Sequence, residues 1–475
     1  MTENIMLLDC TLRDGAYITE SHFGTPAIKG IIKKLQEARV DIIEVGWLKD
    51  KQHEEGTTFF HLPTDVVPYL VEPSERTTYV AMIDWDRYDT EQLPPCDGAS
   101  IDAIRVVFPH GKHKEGLAVA EKIRAKGYRV FLQAANTMAY SDADLEDLVE
   151  AVNAFSPVAL SVVDTFGAMY EEDLERIVRV IDAKLDKAIG LGFHSHNNQQ
   201  LSFALTIHFV NLLESSGRTV MVDASLCGMG RGAGNATTEL VTSYLNRKKH
   251  GNYDLDAIMD AIDTYMEPFR QTYTWGYSTP YFIAGLYQCH VNNIAYLQRN
   301  HRANARDMRN IIASLSQGER RKYDYDLLER RFLENQSRHV DDEAAIRALR
   351  KAFGERTILL IAPGRSVVDE MQQVQAFIDQ EHPVVMGVNA ICDGYDYDYL
   401  FFVNSARYDY AQNAHGISFA ATKKIVLSSI QPGDGNDAFV LNFNRAVKRG
   451  WTHFDNAVIC ALRLLNSMGV RRVAI

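Results

Sequence analysis

The chain has 475 residues, 46% hydrophobic and 24% charged, the composition of a globular protein long enough for two or three separately cored domains. Its 50 Lys plus Arg stand against 62 Asp plus Glu, a formal charge of −12, which disfavours a nucleic-acid or anionic-membrane binder, since both need a basic footprint. The six cysteines form no CxxC pair, no basic and apolar leader opens the chain, and no apolar run reaches the roughly 18 residues of a membrane span, so reduced thiols in the cytoplasm are expected.

Eight short β-rich runs follow in order: Ile5–Cys10, Val40–Trp47, Thr78–Asp84, Ala103–Phe108, Arg129–Ala135, Ala159–Asp164, Ala188–His194 and Val220–Leu226. Helical patterns such as Ala27–Arg39 and Glu115–Lys126 separate most of them. This α/β alternation predicts a (β/α)8 TIM barrel over residues 1–276, with a doubly wound open sheet as the alternative. Residues 277–353 turn polar and helical, with helices expected over Tyr281–Gln298 and Asp341–Phe353. A second β/α series, read as a Rossmann-like α/β domain over 354–475, offers strands at Ile358–Ile361, Pro383–Gly387, Tyr399–Asn404, Lys424–Ser428 and Ala438–Phe443. The helix Asn456–Ser467, capped near Gly469, leads into Arg471–Ile475, which reads as one more strand starting, so truncation of this domain is one expectation.

The barrel reading places its chemistry-bearing residues at strand C-termini, the face where such barrels keep their active sites. Arg13 and Asp14 follow strand one, Glu44 lies late in strand two, Asp164 and Thr165 end strand six, and His194-Ser-His196 ends strand seven. Alternate residues of a strand face the same side, so His194 and His196 can address one cation, with Asp14 as a third ligand from a distant strand. An isolated pair of this kind is more often structural; the Arg-Asp pair on another strand end reverses those odds. Two imidazoles and a carboxylate leave coordination positions open and suit Mg²⁺ or Mn²⁺, with Zn²⁺ or Co²⁺ as substitutes, when a chelating 2-oxo acid supplies the remaining oxygens. Arg13 would add fixed positive charge to an enolate formed there. The segment Asp223-Ala-Ser-Leu-Cys-Gly-Met-Gly-Arg-Gly-Ala-Gly-Asn235 brings four glycines after the last strand; Gly228 and Gly230 are candidate anion-cradle positions, and Asn235 can reach the metal as a neutral oxygen ligand. A flexible closing loop is the plainer reading of that segment. In the second half, Ile361-Ala-Pro-Gly-Arg-Ser366 reads as an inert strand-to-helix loop more readily than as a phosphate site, and Asp393–Asp398 as a solvated loop.

Taken together, Thr11-Leu-Arg-Asp-Gly15, Glu44-Val-Gly46, Asp164-Thr-Phe-Gly167, His194-Ser-His-Asn-Asn198 and Asp223 to Asn235 resemble the metal-dependent lyases and synthases related to 3-hydroxy-3-methylglutaryl-CoA lyase and isopropylmalate synthase. Within that family the glycine segment is most similar to the 4-hydroxy-2-oxovalerate aldolases. The resemblance spans about residues 4 to 290. It implies Asp14, His194, His196 and Asn235 around the metal, Arg13 as the enolate-stabilising group, Glu44 as the residue orienting it, and Thr165, beside Asp164, on the substrate carboxylate. It also implies a small oxo acid as substrate, an aldehyde or acyl-CoA as co-substrate or product, a homo-oligomer, and a partner dehydrogenase for the aldehyde.

One position departs from that pattern. The aldolases carry a catalytic histidine three residues after the motif aspartate, and here Tyr17 stands there. Near its ordinary pKa of ~10 a tyrosine is a poor base at neutral pH. The candidate proton carriers are therefore Tyr17, a metal-held water, His22, and Tyr287, whose setting Ala284-Gly-Leu-Tyr287 resembles a tyrosine segment that follows the aldolase barrel. Cys227 is read as a packing residue. The expectation is a lyase of aldolase type, with three rivals kept open: a Claisen-type synthase joining an acyl-CoA to a 2-oxo acid, a non-haem iron oxygenase using the same ligand set, and a metal-binding barrel without activity.

Overall fold

The computed structural model describes residues 5–71, 76–301, 303–337, 339–433, 438–447 and 456–475. Eight parallel strands close on themselves: β1 (Ile5–Asp9), β2 (Ile42–Leu48), β3 (Thr78–Asp84), β4 (Ala103–Pro109), β5 (Arg129–Ala135), β6 (Ala159–Asp164), β7 (Gly190–Ser195) and β8 (Val220–Ala224). Each pairs with its sequence neighbours, and β1 pairs with both β2 (Leu8 opposite Ile42) and β8 (Leu7 opposite Val222), which makes the TIM barrel. A two-residue strand, Phe59–Phe60, extends the edge of β2 opposite Trp47 and Leu48, an addition that the sequence pattern does not announce.

The outer helices bury one stripe each. Thr25–Glu37 buries Ile28, Ile31, Ile32 and Leu35, the i, i+3, i+4, i+7 spacing of a helix with one apolar face. Those side chains join a large cluster between sheet and helices, while a separate cluster of Leu8, Cys10, Ile42, Val80, Ala103, Phe131, Ala159 and Met221 fills the barrel interior.

The chain forms two compact units, Met1–Val291 and Asn292–Ile475. The second holds the helices Ala305–Ser314, Tyr325–Gln336 and Glu343–Phe353 and a six-stranded parallel sheet. Its strands are β9 (Ile358–Ile361), β10 (Val384–Val388), β11 (Tyr399–Phe402), β12 (Lys423–Leu427), β13 (Ala438–Leu441) and β14 (Val473–Ala474), in the order β13-β12-β11-β10-β9-β14. The single helix expected over Tyr281–Gln298 is two, Thr279–Leu286 and Val291–His301. The break has a backbone cause: Gln288 adopts φ 49°, and the amide of Cys289 turns back to the carbonyl of Ala284. Among the described residues no helix is long and apolar enough to cross a membrane.

Candidate metal centre at the barrel mouth

The C-terminal end of β1 is locked before it presents its side chains. Asp9 accepts from the amide of Thr11 at 2.9 Å and from the hydroxyl of Thr238 at 2.6 Å, and Thr11 Oγ1 accepts from the amide of Leu226 at 2.8 Å. A short helical turn, Thr11–Asp14, then carries Arg13 and Asp14 inward, all four residues buried.

Arg13 is 4% exposed and doubly paired, Nε donating to Glu44 Oε2 at 2.7 Å and Nη1 to Asp14 Oδ1 at 2.8 Å. Its Nη2 is buried with no hydrogen-bond partner among the described residues. A guanidinium held on two sides with its third nitrogen unspent is a preorganised site for an oxyanion.

The two histidines of β7 come together with Asp14: ligand atoms of Asp14, His194 and His196 all lie within 4.8 Å of one another, and all three residues are buried. His194 Nδ1 is 3.0 Å from Asp223 Oδ2, in ion-pair range though poorly aligned for a hydrogen bond. Burial drives the His196 pKa down to about 3 against the pull of Asp14, with His194, Arg231 and Arg13 adding to the fall. The imidazole is therefore neutral, the form that ligates cations. Asp14 moves to about 2, because Arg13 and the two histidines outweigh the burial that would raise it, and it is ionised. Asn235 donates from Nδ2 to Asp14 Oδ2 at 2.6 Å, and its Oδ1 is buried without a partner among the described residues. Neutral imidazoles, an ionised carboxylate and an orphaned amide oxygen are a donor set that fits a divalent cation.

The glycine segment is built for close approach. A Cβ on Gly230 would lie 2.3 Å from Asn235 Nδ2 and 2.7 Å from Asp14 Oδ2, so only glycine lets the backbone rest on the ligand set. Gly228 turns its carbonyl to the amide of Asn235 at 3.1 Å and so closes the loop on itself. The loop is also tied to the histidine motif, Asn197 N donating to Gly234 O and Ala233 N to Asn198 Oδ1, both at 2.8 Å.

Thr165 and Asp164 divide their work. Thr165 Oγ1 accepts from the amide of Asn136 at 2.7 Å, which leaves its hydroxyl proton to donate elsewhere. Asp164 spends both oxygens on the amides of Ala168 and Met169 and so fixes the loop that carries Thr165; burial raises its carboxyl to about 6.

Tyr17 is 48% exposed at the mouth, edge-on to Trp47 at 6.3 Å, and desolvation raises its phenol above the ordinary value. Tyr287 caps the helix Thr279–Leu286, whose Gly285 is packed against Asn198 and Gln199 on the same face. His22 sits away from the ligand set, its Nδ1 against Glu20 O at 2.9 Å and its Nε2 3.6 Å from Glu54. The Cys227 thiol is pushed up to about 12 by burial, reinforced by Glu239, and is no nucleophile at neutral pH.

Sequence reading missed the residue at the centre of this web. Arg105 on β4 is fully buried, Nη1 3.0 Å from Glu44 Oε2 and Nη2 donating to Gln133 Oε1 at 2.9 Å and to Asp223 Oδ2 at 2.5 Å. One side chain thus connects the carboxylate that holds Arg13 to the one that faces His194. Its signal was an arginine inside an apolar strand, Ala103-Ile-Arg-Val-Val-Phe108, where an unpaired charge is too costly to bury.

Known proteins resemble this barrel. Residues 111–264 match the HMGL-like family model. A 4-hydroxy-2-oxovalerate aldolase of Geobacillus genomosp. 3 is 26% identical over 277 residues, 56% of this chain and 78% of that protein. An oxaloacetate decarboxylase of Mycobacterium tuberculosis is 25% identical over 265 residues, 54% of this chain and 74% of that protein. Among solved structures, the N-terminal domain of a Bacteroides vulgatus protein described as an aldolase superposes with a TM-score of 0.53 at 25% identity, covering 62% of this chain and 97% of that domain. The chain thus carries an HMGL-like domain match within its barrel unit, and the barrel is similar to aldolases and to an oxaloacetate decarboxylase.

Proposed function

We propose that the barrel is a divalent-metal-dependent carbon–carbon lyase that cleaves, or in reverse forms, a small 2-oxo acid through a pyruvate-type enolate. The observation that carries this reading is the buried, unsatisfied Nη2 of Arg13 beside the Asp14, His194 and His196 cluster. Asp14, His194, His196 and Asn235 would hold Mn²⁺ or Mg²⁺, which supplies Lewis-acid polarisation of the 2-oxo group.

In the retro-aldol direction the C3–C4 bond of a 4-hydroxy-2-oxo acid breaks. Its electron pair passes into the enolate, the C4 hydroxyl gives its proton to a solvent water at the mouth, an aldehyde leaves, and the enolate takes a proton at C3 from solvent to give the 2-oxo acid product. Arg13 meets the developing oxyanion with Nη2, and Glu44 is a positioning residue that keeps the guanidinium from turning. Thr165 donates its hydroxyl proton to the substrate carboxylate. Gly228 and Gly230 let the loop backbone close on the bound acid. Tyr17, protonated at neutral pH, and Tyr287 are the proposed hydrogen-bond donors at the solvent side. The two named relatives support the shared step: cleavage of a 4-hydroxy-2-oxo acid and decarboxylation of oxaloacetate both leave the enolate of pyruvate.

The test is solvent deuterium exchange into the methyl group of pyruvate, followed by NMR with the Mn²⁺- or Mg²⁺-loaded full chain. Exchange that a chelator abolishes and that Asp14→Asn lacks is expected. Exchange or turnover indifferent to chelator would end the metal reading, and no exchange in the loaded protein would end the enolate reading.

A further inference from the structure

The glycine segment carries one charged side chain that the mechanism above leaves unused. Arg231 follows Gly230, which rests on Asp14 and Asn235. The Arg231 guanidinium carbon lies 5.0 Å over the ring of Tyr17, and Nη2 donates to His290 Nε2 at 2.6 Å. Burial, then the charges of Arg231 and Arg87, push His290 down to about 3, so its ring is neutral and accepts that bond. Both neighbours of Arg231 are thus uncharged. Among the described residues no carboxylate is paired with it within ion-pair distance; Asp84, already next to Arg87, feels its charge only from farther off. The other arginines at this end of the barrel are matched: Arg13 by Glu44 and Asp14, Arg105 by Glu44 and Asp223, Arg87 by Asp84 at 3.9 Å.

Arg13 and Arg231 also flank one aromatic wall. The Arg13 guanidinium carbon lies 5.8 Å from the Trp47 ring, Trp47 meets Tyr17 edge-on, and Tyr17 carries Arg231. Two cations joined by two rings, the first turned to the Asp14, His194 and His196 cluster and the second with no carboxylate in direct contact among the described residues, describe a site with a positive group at each end.

We propose that Arg231 recognises a carboxylate at the far end of the substrate, so that the 2-oxo acid taken by this barrel is a dicarboxylate and the fragment it releases carries the second carboxylate. This rests on the oxo-acid reading above and narrows its substrate class. A single guanidinium presents a planar fork that matches a carboxylate monoanion, and its aromatic bed limits how far it can turn.

The experiment compares two ligands with one head group: binding of 2-oxoglutarate and of 2-oxopentanoate to the Mn²⁺-loaded full chain, by calorimetry. 2-Oxoglutarate is expected to bind at least about tenfold tighter, the size of one charge-assisted hydrogen bond. Arg231→Met should bring that ratio to about one, and Arg231→Lys should retain part of it. Equal affinities in the parent, or a ratio that Arg231→Met leaves intact, overturns the assignment. Tighter binding of a phosphate-tailed oxo acid than of 2-oxoglutarate, lost with Arg231, overturns the carboxylate. Pyruvate exchange measured on the same samples separates the two readings: its failure with the affinity ratio present removes the lyase and not the recognition.

Discussion

Along the barrel axis the interior changes character within two residues of each strand. Ile42, Ala103, Phe131, Ala159 and Met221 form an apolar layer, and two positions further on the same strands place Glu44, Arg105, Gln133, Ser161 and Asp223. Both layers are sealed from water, yet the lower is held by packing and the upper by charge pairing. The upper layer is costly to desolvate, and buried ion pairs of this kind are weak evidence for stability. What it does provide is orientation, since Glu44 holds Arg13, Asp223 faces His194, and Arg105 spans the two.

The largest expected effect comes from removing the shared partner. Arg105→Met leaves Glu44 and Asp223 buried without their common cation, and unfolding in urea should show a loss of about 3–5 kcal/mol. Phe131→Ala in the lower layer should cost a similar ~3–5 kcal/mol by opening a cavity. Metal affinity separates the layers: Arg105→Met should weaken Mn²⁺ binding, and Phe131→Ala should not. Equal metal affinity in both variants would show that the ionic layer does not orient the ligands.

A smaller effect is expected where one charge is removed and the web stays. Arg13→Ala should bind metal and lose about 100- to 1,000-fold in turnover, as loss of an oxyanion donor does. Turnover near that of the parent would take Arg13 out of the mechanism.

Carboxylates without an arginine sharpen the contrast. Asp14 and Asp223 sit below the usual carboxylate range despite burial, whereas burial raises Asp9 to about 6, its hydrogen-bond partners among the described residues being the neutral donors at Thr11 and Thr238. A raised carboxyl binds a proton more tightly folded than unfolded, so the stability it contributes falls as pH rises from about 4 to 6 and stays lost above that. Asp9→Asn removes this drop and should be more stable than the parent at pH 7 by up to about 3 kcal/mol, with little difference at pH 4. Urea unfolding at both pH values checks it, and parallel curves would contradict it.

The strands, the Asp14, His194 and His196 cluster and the placement of Arg13 beside it were legible in the sequence because each is a local pattern: a β-rich run, a carboxylate or a pair of imidazoles at its end. Arg105 and Asp223 are equally visible as charges inside apolar strands, but their role is a pairing across 118 positions of chain, which no local pattern contains. Arg231 was legible only as part of a glycine-rich run, because what marks it is its setting in space, between the Tyr17 ring and the neutral imidazole of His290. The break at Gln288 escaped for a different reason. A left-handed residue there is imposed by the turn of the amide of Cys289 onto Ala284, and glutamine gives no sign of it.

Tyr17 tests how far the upper layer's logic extends to the rim. A group that served as base would need its pKa brought down toward neutrality, and desolvation raises this one, with Arg231 only partly opposing. Its ring, in contrast, is fully used, between Trp47 and the guanidinium of Arg231. Tyr17→Phe retains both ring contacts and loses only the hydroxyl, so kcat should fall by no more than about tenfold, the scale of one neutral hydrogen bond, and the pH–rate profile should keep its shape. Loss of one limb of that profile in Tyr17→Phe would instead make the phenol the proton carrier and would require its pKa to fall when substrate is bound.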